Sequence, residues 1–169
     1  MIMFEPNSPT LLLNEEKCRQ NIEKMYQKAV NSNLILRPHF KTAQSVAIGK
    51  WFKDIGINSI TVSSFQMAEY FADAGWKDIT VAFPVNITEI ERINRLFLKT
   101  DNLNLLITDQ TPLKWLNNQL AKKANVFIKI DSGAKRSGIY ADNIDIIEKT
   151  LFSVSKFDRL NFAAFLTHE

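Results

Sequence analysis

Three short segments hold the side chains best suited to chemistry. Arg37-Pro38-His39-Phe40-Lys41-Thr42 brings a guanidinium, an imidazole and an amine close together in sequence. Asp131-Ser132-Gly133-Ala134-Lys135-Arg136-Ser137-Gly138 sets an acid and two bases in a loop punctuated by two glycines. Leu166-Thr167-His168 ends an apolar run on an imidazole. Beside Arg37 and His39, and drawn out of water at a strand end, the Lys41 amine would lose basicity and could act as a nucleophile or Schiff-base former. The same residue also fits an ordinary loop lysine in solvent. Arg136 can aim fixed donors at an anionic oxygen, or sit as a solvated charge in a tight turn. His168 can stack on a ring or move a proton, or pack as a satisfied, partly buried histidine.

Other chemistries find less support. The two histidines lie far apart in sequence and no Cys/His cluster has ligand spacing, so no metal site is expected. The single cysteine, Cys18, falls in a helical pattern, and no GxSxG elbow occurs. The five glycines form neither GxGxxG nor GxxxxGK[ST], which argues against a dinucleotide fold or a phosphate loop. Asn86-Ile87-Thr88 reads better as a helix cap than as a glycosylation site.

The elements that must position these residues alternate. Leu11–Leu13 reads as a short entering strand. Asn14 then caps a helix with Glu15 and Glu16 in its first turn and a stripe of Cys18, Ile22, Met25, Tyr26 and Ala29. Strands are expected to begin near residues 34, 59, 78, 103, 126 and 162. Helices between them carry Val46 to Ile55, start at a Ser63/Gln66 capping box, start at a Thr88/Glu91 box, start at Thr111-Pro112, and run from Ile144 to Ser155. This rhythm predicts an α/β fold with about six parallel strands joined by right-handed crossovers. Repeats of roughly 26 residues fit either a doubly wound open sheet that stops at six strands or an incomplete eight-stranded β/α (TIM) barrel, which takes about 250 residues when closed. The apolar last strand, with no helix after it, leads to the incomplete barrel as the expectation. Chemistry in such folds gathers at the carboxyl ends of the strands. That rule selects Arg37, His39, Lys41 and Thr42; Ser63 and Ser64; Pro84 and Asn86; Thr108 and Asp109; Asp131, Ser132 and Arg136; and Thr167 and His168.

Composition sets the outer bounds. The chain has 169 residues, 46% of them hydrophobic, with 21 Lys+Arg against 18 Asp+Glu. That suits a globular domain, and the interspersed charges make no basic face for nucleic acid. No apolar run approaches a membrane span, the start lacks a signal-peptide pattern, and a lone cysteine suits a reducing compartment. A cytoplasmic protein without nucleic-acid or membrane partners is expected.

The three segments, in this order, resemble the fold-type III pyridoxal-phosphate enzymes, the family of the alanine racemase N-terminal barrel. Arg37 to Thr42 is similar to the R-P-H-x-K-T segment of the D-threonine aldolase and eukaryotic-type D-serine dehydratase branch. Asp131-Ser132-Gly133 with Arg136 and Gly138 resembles D-[ST]-G-x-x-R-x-G, and Leu166-Thr167-His168 resembles the L-T-H of the sixth strand. The resemblance implies that Lys41 holds pyridoxal 5'-phosphate as a Schiff base and serves as a base, with Arg136 near the phenolic oxygen of the cofactor. His168 would pack on the ring, and His39 and Arg37 would line the wall. It further implies that residues 1–169 are a truncated N-terminal barrel domain without the C-terminal β-domain, inactive alone. In the full-length form a small D-amino acid would be the substrate, a homodimer the assembly, and a divalent metal possible. D-threonine aldolase-like chemistry leads. D-serine dehydratase or racemase activity, and a non-catalytic pyridoxal-phosphate carrier, are the alternatives.

Overall fold

The computed structural model describes residues 9–168. The chain divides after Leu36 into two compact units. In the first, Asn14 caps helix α1 (Glu15–Asn31) by accepting a hydrogen bond from the Lys17 amide at 2.9 Å. Glu15 pairs with Arg19 one turn later at 2.8 Å. Of the predicted stripe, Ile22 is buried and Cys18, Tyr26 and Ala29 are half-buried, whereas Met25, at the edge of that stripe, is exposed. Asn33 takes a left-handed conformation (φ 53°) that turns the chain back, so the Leu34 amide reaches the Ala29 carbonyl at 2.9 Å. Two expected strands are missing. Leu11–Leu13 and Leu34–Leu36 are irregular, and apart from the half-buried Leu36 they are exposed. A strand needs ladder partners, and an apolar run by itself supplies none.

The second unit carries a six-stranded sheet. Its strands are β1 (Ser59–Val62), β2 (Asp78–Pro84), β3 (Asn102–Ile107), β4 (Ala124–Asp131), β5 (Ile139–Tyr140) and β6 (Leu160–Leu166). Every pairing is parallel: β1 with β2, β2 with β3, β3 with β4, and β4 with both β6 and the short β5. Helices α2 (Val46–Asp54), α3 (Phe65–Asp73), α4 (Ile90–Leu96), α5 (Leu113–Gln119) and α6 (Ile144–Ser155) alternate with the strands. This is the expected barrel rhythm, although the six strands are not the six foreseen. The one near residue 34 is replaced by a single bridge between His39 and Thr61, and β5 is additional. Two caps shift as well: Ser64, not Ser63, accepts from Met67 at 3.1 Å, and Asn86 accepts from Thr88 at 3.1 Å to start a 3-10 turn before α4. The first cap thus lies one residue after the expected one and the second two residues before it. Among the described residues no helix is long and apolar enough to cross a membrane.

Alternation gives the sheet two unlike faces. Ile60, Val62, Ile79, Val81, Leu105 and Val126 point one way and join one buried cluster with the helix residues Phe65, Phe71, Ile93, Leu96, Leu113 and Val154. Towards the strand starts the intervening positions are polar: Thr80 and Asn104 are buried there, and Asp78 and Asn125 partly so, while Ala82 and Leu106 follow further along the same face. Asn104 donates to Thr80 Oγ1 (2.9 Å) and Asp78 Oδ1 (3.1 Å), accepts from Asn125 (3.1 Å), and Asn125 accepts from Asn161 (2.9 Å). Each amide thereby satisfies its neighbour across a register pair.

The helix carboxyl ends, which topology places beside the strand starts, are closed by cations. Lys53 Nζ donates to the Ala74 carbonyl (3.0 Å) after α3, and Lys122 Nζ (3.0 Å) and Lys77 Nζ (2.8 Å) to Phe97 and Lys99 after α4. The Arg159 guanidinium donates to the Leu120 carbonyl after α5. That end of the sheet is structural. Leu105→Ala, at a fully buried site, should lower unfolding free energy by about 2–5 kcal/mol, while Leu98→Ala, 80% exposed, should change it by no more than about 0.5 kcal/mol; urea denaturation of both variants checks the contrast.

Candidate active site

The lysine-bearing segment is built from few but specific contacts. Phe40 donates its amide to the Thr61 carbonyl (2.9 Å), and the Thr61 amide returns to the Pro38 carbonyl (2.8 Å). Phe40 itself is buried among Phe52, Phe71 and Trp76, with ring centroids 4.8–5.3 Å away. Alternation then sends the neighbouring side chains, His39 and Lys41, to the other face. The chain turns at once: Gln44, with φ 43°, donates its amide to the Phe40 carbonyl (2.9 Å) and its side chain to the Lys41 carbonyl (2.8 Å). Lys41 is exposed rather than desolvated. Its amide donates to His39 Nδ1 at 3.3 Å, which requires that ring nitrogen to be unprotonated.

The Arg136 loop is clamped at both ends. At its start, Asp131 Oδ1 accepts from the Gly133 (2.9 Å) and Lys135 (3.0 Å) amides. These bonds, that from Gly133 first, hold the Asp131 carboxyl below its ordinary range. At its end, β5 pairs Ile139 and Tyr140 with Ile130 and Asp131. Gly138 is required there on two counts: its φ is +111°, and an added Cβ would stand 2.7 Å from both Lys129 Cγ and the Lys129 carbonyl oxygen. The carboxyl end of β6 is tied to the same loop by the hydroxyls of Thr167 and Ser132, 2.5 Å apart.

These three segments meet. Arg37, His39, Lys41, Arg136 and His168 all line one cavity of about 750 Å³ at the carboxyl ends of the strands. His39 has its pKa lowered, first by burial and then by the positive charges of Lys41 and His168, which places the three groups within electrostatic reach. The Arg37 guanidinium is turned to Asp78 Oδ1 (2.6 Å) and the Ile60 carbonyl (3.3 Å).

Other strand-end residues go elsewhere. Asn86, Thr108 and Asp109 line a separate hollow of about 270 Å³ beside Trp115, and Ser64 is spent on its helix cap. Asp109 is held below its ordinary carboxyl range by bonds to Thr111 and Thr108, chiefly the former, so it serves its own turn. Lys129 was not foreseen. It is buried on the cavity face of β4, and burial pushes its pKa down, while nearby Asp131 acts the other way and Arg136 adds to the lowering. Its signal was present in the sequence, since residues two apart in a strand share a face and Asp131 had been selected.

The family model of the alanine racemase N-terminal domain matches residues 13–169. D-serine dehydratase of Dictyostelium discoideum is 31% identical over 144 residues, 78% of this chain and 36% of that protein. The solved D-threo-3-hydroxyaspartate dehydratase of Delftia sp. HT23 superposes with a TM-score of 0.82 and 27% identity, covering 90% of this chain and 41% of its own. D-threonine aldolase of Filomicrobium marinum gives a TM-score of 0.84 at 22% identity, over 94% of this chain and 43% of its own, a likeness of fold. The chain therefore spans less than half the length of these relatives. Matched from residue 13 to 169, with the motif residues of three segments on one cavity, the chain belongs to the alanine racemase N-terminal domain family of fold-type III pyridoxal-phosphate enzymes.

Proposed function

We propose that this chain provides the cofactor-holding wall of a pyridoxal-phosphate-dependent lyase acting on D-amino acids, D-threonine aldolase-like in its chemistry. The observation that carries this reading is the convergence of Lys41, Arg136 and His168 on one cavity from segments far apart in sequence. The donor set suits the cofactor. Pyridoxal phosphate carries anionic phosphate and phenolic oxygens, and among the described residues the cavity is lined by Arg37, Lys41, Lys129 and Arg136 with Asp131 as the one acid, Arg37 being paired to Asp78. When bound, the cofactor supplies the electron sink for breaking a bond at the substrate α-carbon.

The work of the chain is to hold, orient and exchange protons. Lys41 Nζ would hold the cofactor covalently and would also serve as a base. Arg136 would face the phenolic oxygen, and His168 would lie against the ring. His39, with Arg37 on the same wall, is kept neutral near pH 7 by burial and by the positive charges nearby, so it adds no charge beside Lys41 until it takes up a proton. The whole protein would act on a small D-amino acid as a homodimer in the reducing cytoplasm, where Cys18 remains a thiol. Phosphate contacts and any divalent metal ligands would come from residues beyond these, so this chain alone would show little turnover. A D-serine dehydratase activity is the second reading, favoured by the 31% identity to that enzyme from Dictyostelium.

Two outcomes are expected. Incubation with pyridoxal phosphate and reduction with borohydride should leave a pyridoxyl group on the Lys41 peptide, seen by mass mapping, and Lys41→Ala should abolish it. A protein labelled at Lys41 whose full-length form releases no product from D-threonine or D-serine would instead be a cofactor carrier. The His39 ring should titrate below the ordinary 6.5. Because its folded pKa is depressed, folding stability falls as pH drops through about 6.5. Removing one positive neighbour in Lys41→Met should move the midpoint back up, as read by NMR of the imidazole protons.

A further inference from the structure

The residue that would hold the cofactor stands on a segment with almost no ladder of its own. A single parallel bridge joins His39 to Thr61, the chain before it is irregular, and the chain after it turns back at Gln44. Two backbone hydrogen bonds, at Phe40 and Thr61, are a weak hold for a group that must be placed to within a fraction of an ångström. Phe40 sets the depth of the segment in the helix-side core, but a ring in an apolar pocket fixes direction poorly.

The other anchor is Arg37. Its NH1 lies 2.6 Å from Asp78 Oδ1 and 3.3 Å from the Ile60 carbonyl, and both partners of the ion pair are only 28% exposed. Asp78 is in turn fixed: Oδ1 also accepts from Asn104 Nδ2 at 3.1 Å, and Asn104 continues through Asn125 to Asn161. The carboxylate is therefore tied to β2, β3, β4 and β6 at once. A charge-assisted bond in such a half-buried site is stronger and more directional than either backbone bond of the bridge.

We propose that Asp78 is a positioning residue: by gripping Arg37 it fixes the register of the lysine-bearing segment, and so delivers the Lys41 amine to the cavity. This rests on the reading of Lys41 as the cofactor-holding residue. Asp78 touches neither cofactor nor substrate in this role, and Arg37 acts as the tether between the inner sheet face and the segment.

The test pairs amide hydrogen exchange with borohydride labelling, in the parent, Asp78→Ala and Asp78→Asn. In Asp78→Ala the Phe40 and Thr61 amides should exchange about tenfold faster or more, while the Leu105 and Ile128 amides of the sheet stay as in the parent. Labelling of Lys41 at limiting pyridoxal phosphate should fall by a similar factor. Asp78→Asn keeps an acceptor oxygen and loses the charge, so it should lie between the two; it also decides the matter should the alanine variant fail to fold. Unchanged protection and labelling would overturn the proposal, as would a uniform rise in exchange that includes Leu105 and Ile128, the mark of a general loss of stability. If the parent takes no label at Lys41, the reading of that lysine fails, and the exchange pattern still decides whether Asp78 holds the segment.

Discussion

Burial of one face of a parallel sheet is the constraint from which the rest follows. Because side chains alternate, committing Ile60, Ile79, Leu105 and Val126 to the helices commits Thr61, Thr80, Asn104 and Asn125 to the opposite face. Slipping any strand by one residue would drive amides into the apolar layer and isoleucines out of it. The hydrophobic pattern thus selects the register, and the register places the polar ladder and the cavity. Hydrophobic burial supplies the energy here, at about 25 cal/mol per Å² of apolar surface. The polar face adds little net stability and much specificity, since its hydrogen bonds largely replace bonds to water.

The two ends of the sheet divide the labour. Helix carboxyl ends accumulate partial negative charge at the strand starts, and Lys53, Lys77, Lys122 and Arg159 meet it there. The opposite end lacks such neutralisation and collects cations instead: Lys41, Lys129 and Arg136 lie on one cavity. Holding those charges near one another is unfavourable without an anion, which is why loops rather than the packed layer carry most of them. Lys129 is the exception, buried beside Asp131.

Much of this was legible in the sequence, and the failures share a cause. Helix α6 was expected at the observed residues because an apolar period marks it. The strands β2, β3, β4 and β6 were found because each is a compact apolar run between turn signals. Leu34–Leu36 has the same local appearance and forms no strand, because a strand is a relation between segments, and Thr61 pairs with His39 instead. Strand β5 escaped notice for the converse reason: two residues carry no period, and pairing alone creates them. The same holds for the site. Residue types and strand ends pointed to Lys41, Arg136 and His168, whereas the Arg37–Asp78 pair joins positions that nothing local connects.

That pair also sorts the positive charges. Arg37 is matched by Asp78, and Lys129 stands beside Asp131. Among the described residues, no acidic group forms an ion pair with Lys41 or Arg136. Arg37 and Lys129 thus have acidic neighbours, and Lys41 and Arg136 have none among the described residues. His39, with its pKa lowered, adds no charge to these near pH 7. An inner face that met every cation with its own carboxylate would hold the same fold and bind no anion. One that met none would carry Arg37 loose on the polar face, with the lysine segment pinned only by its bridge and by Phe40. The arrangement found lies between these limits, with Arg37 held by Asp78 and with Lys41 and Arg136 left without an acidic partner among the described residues.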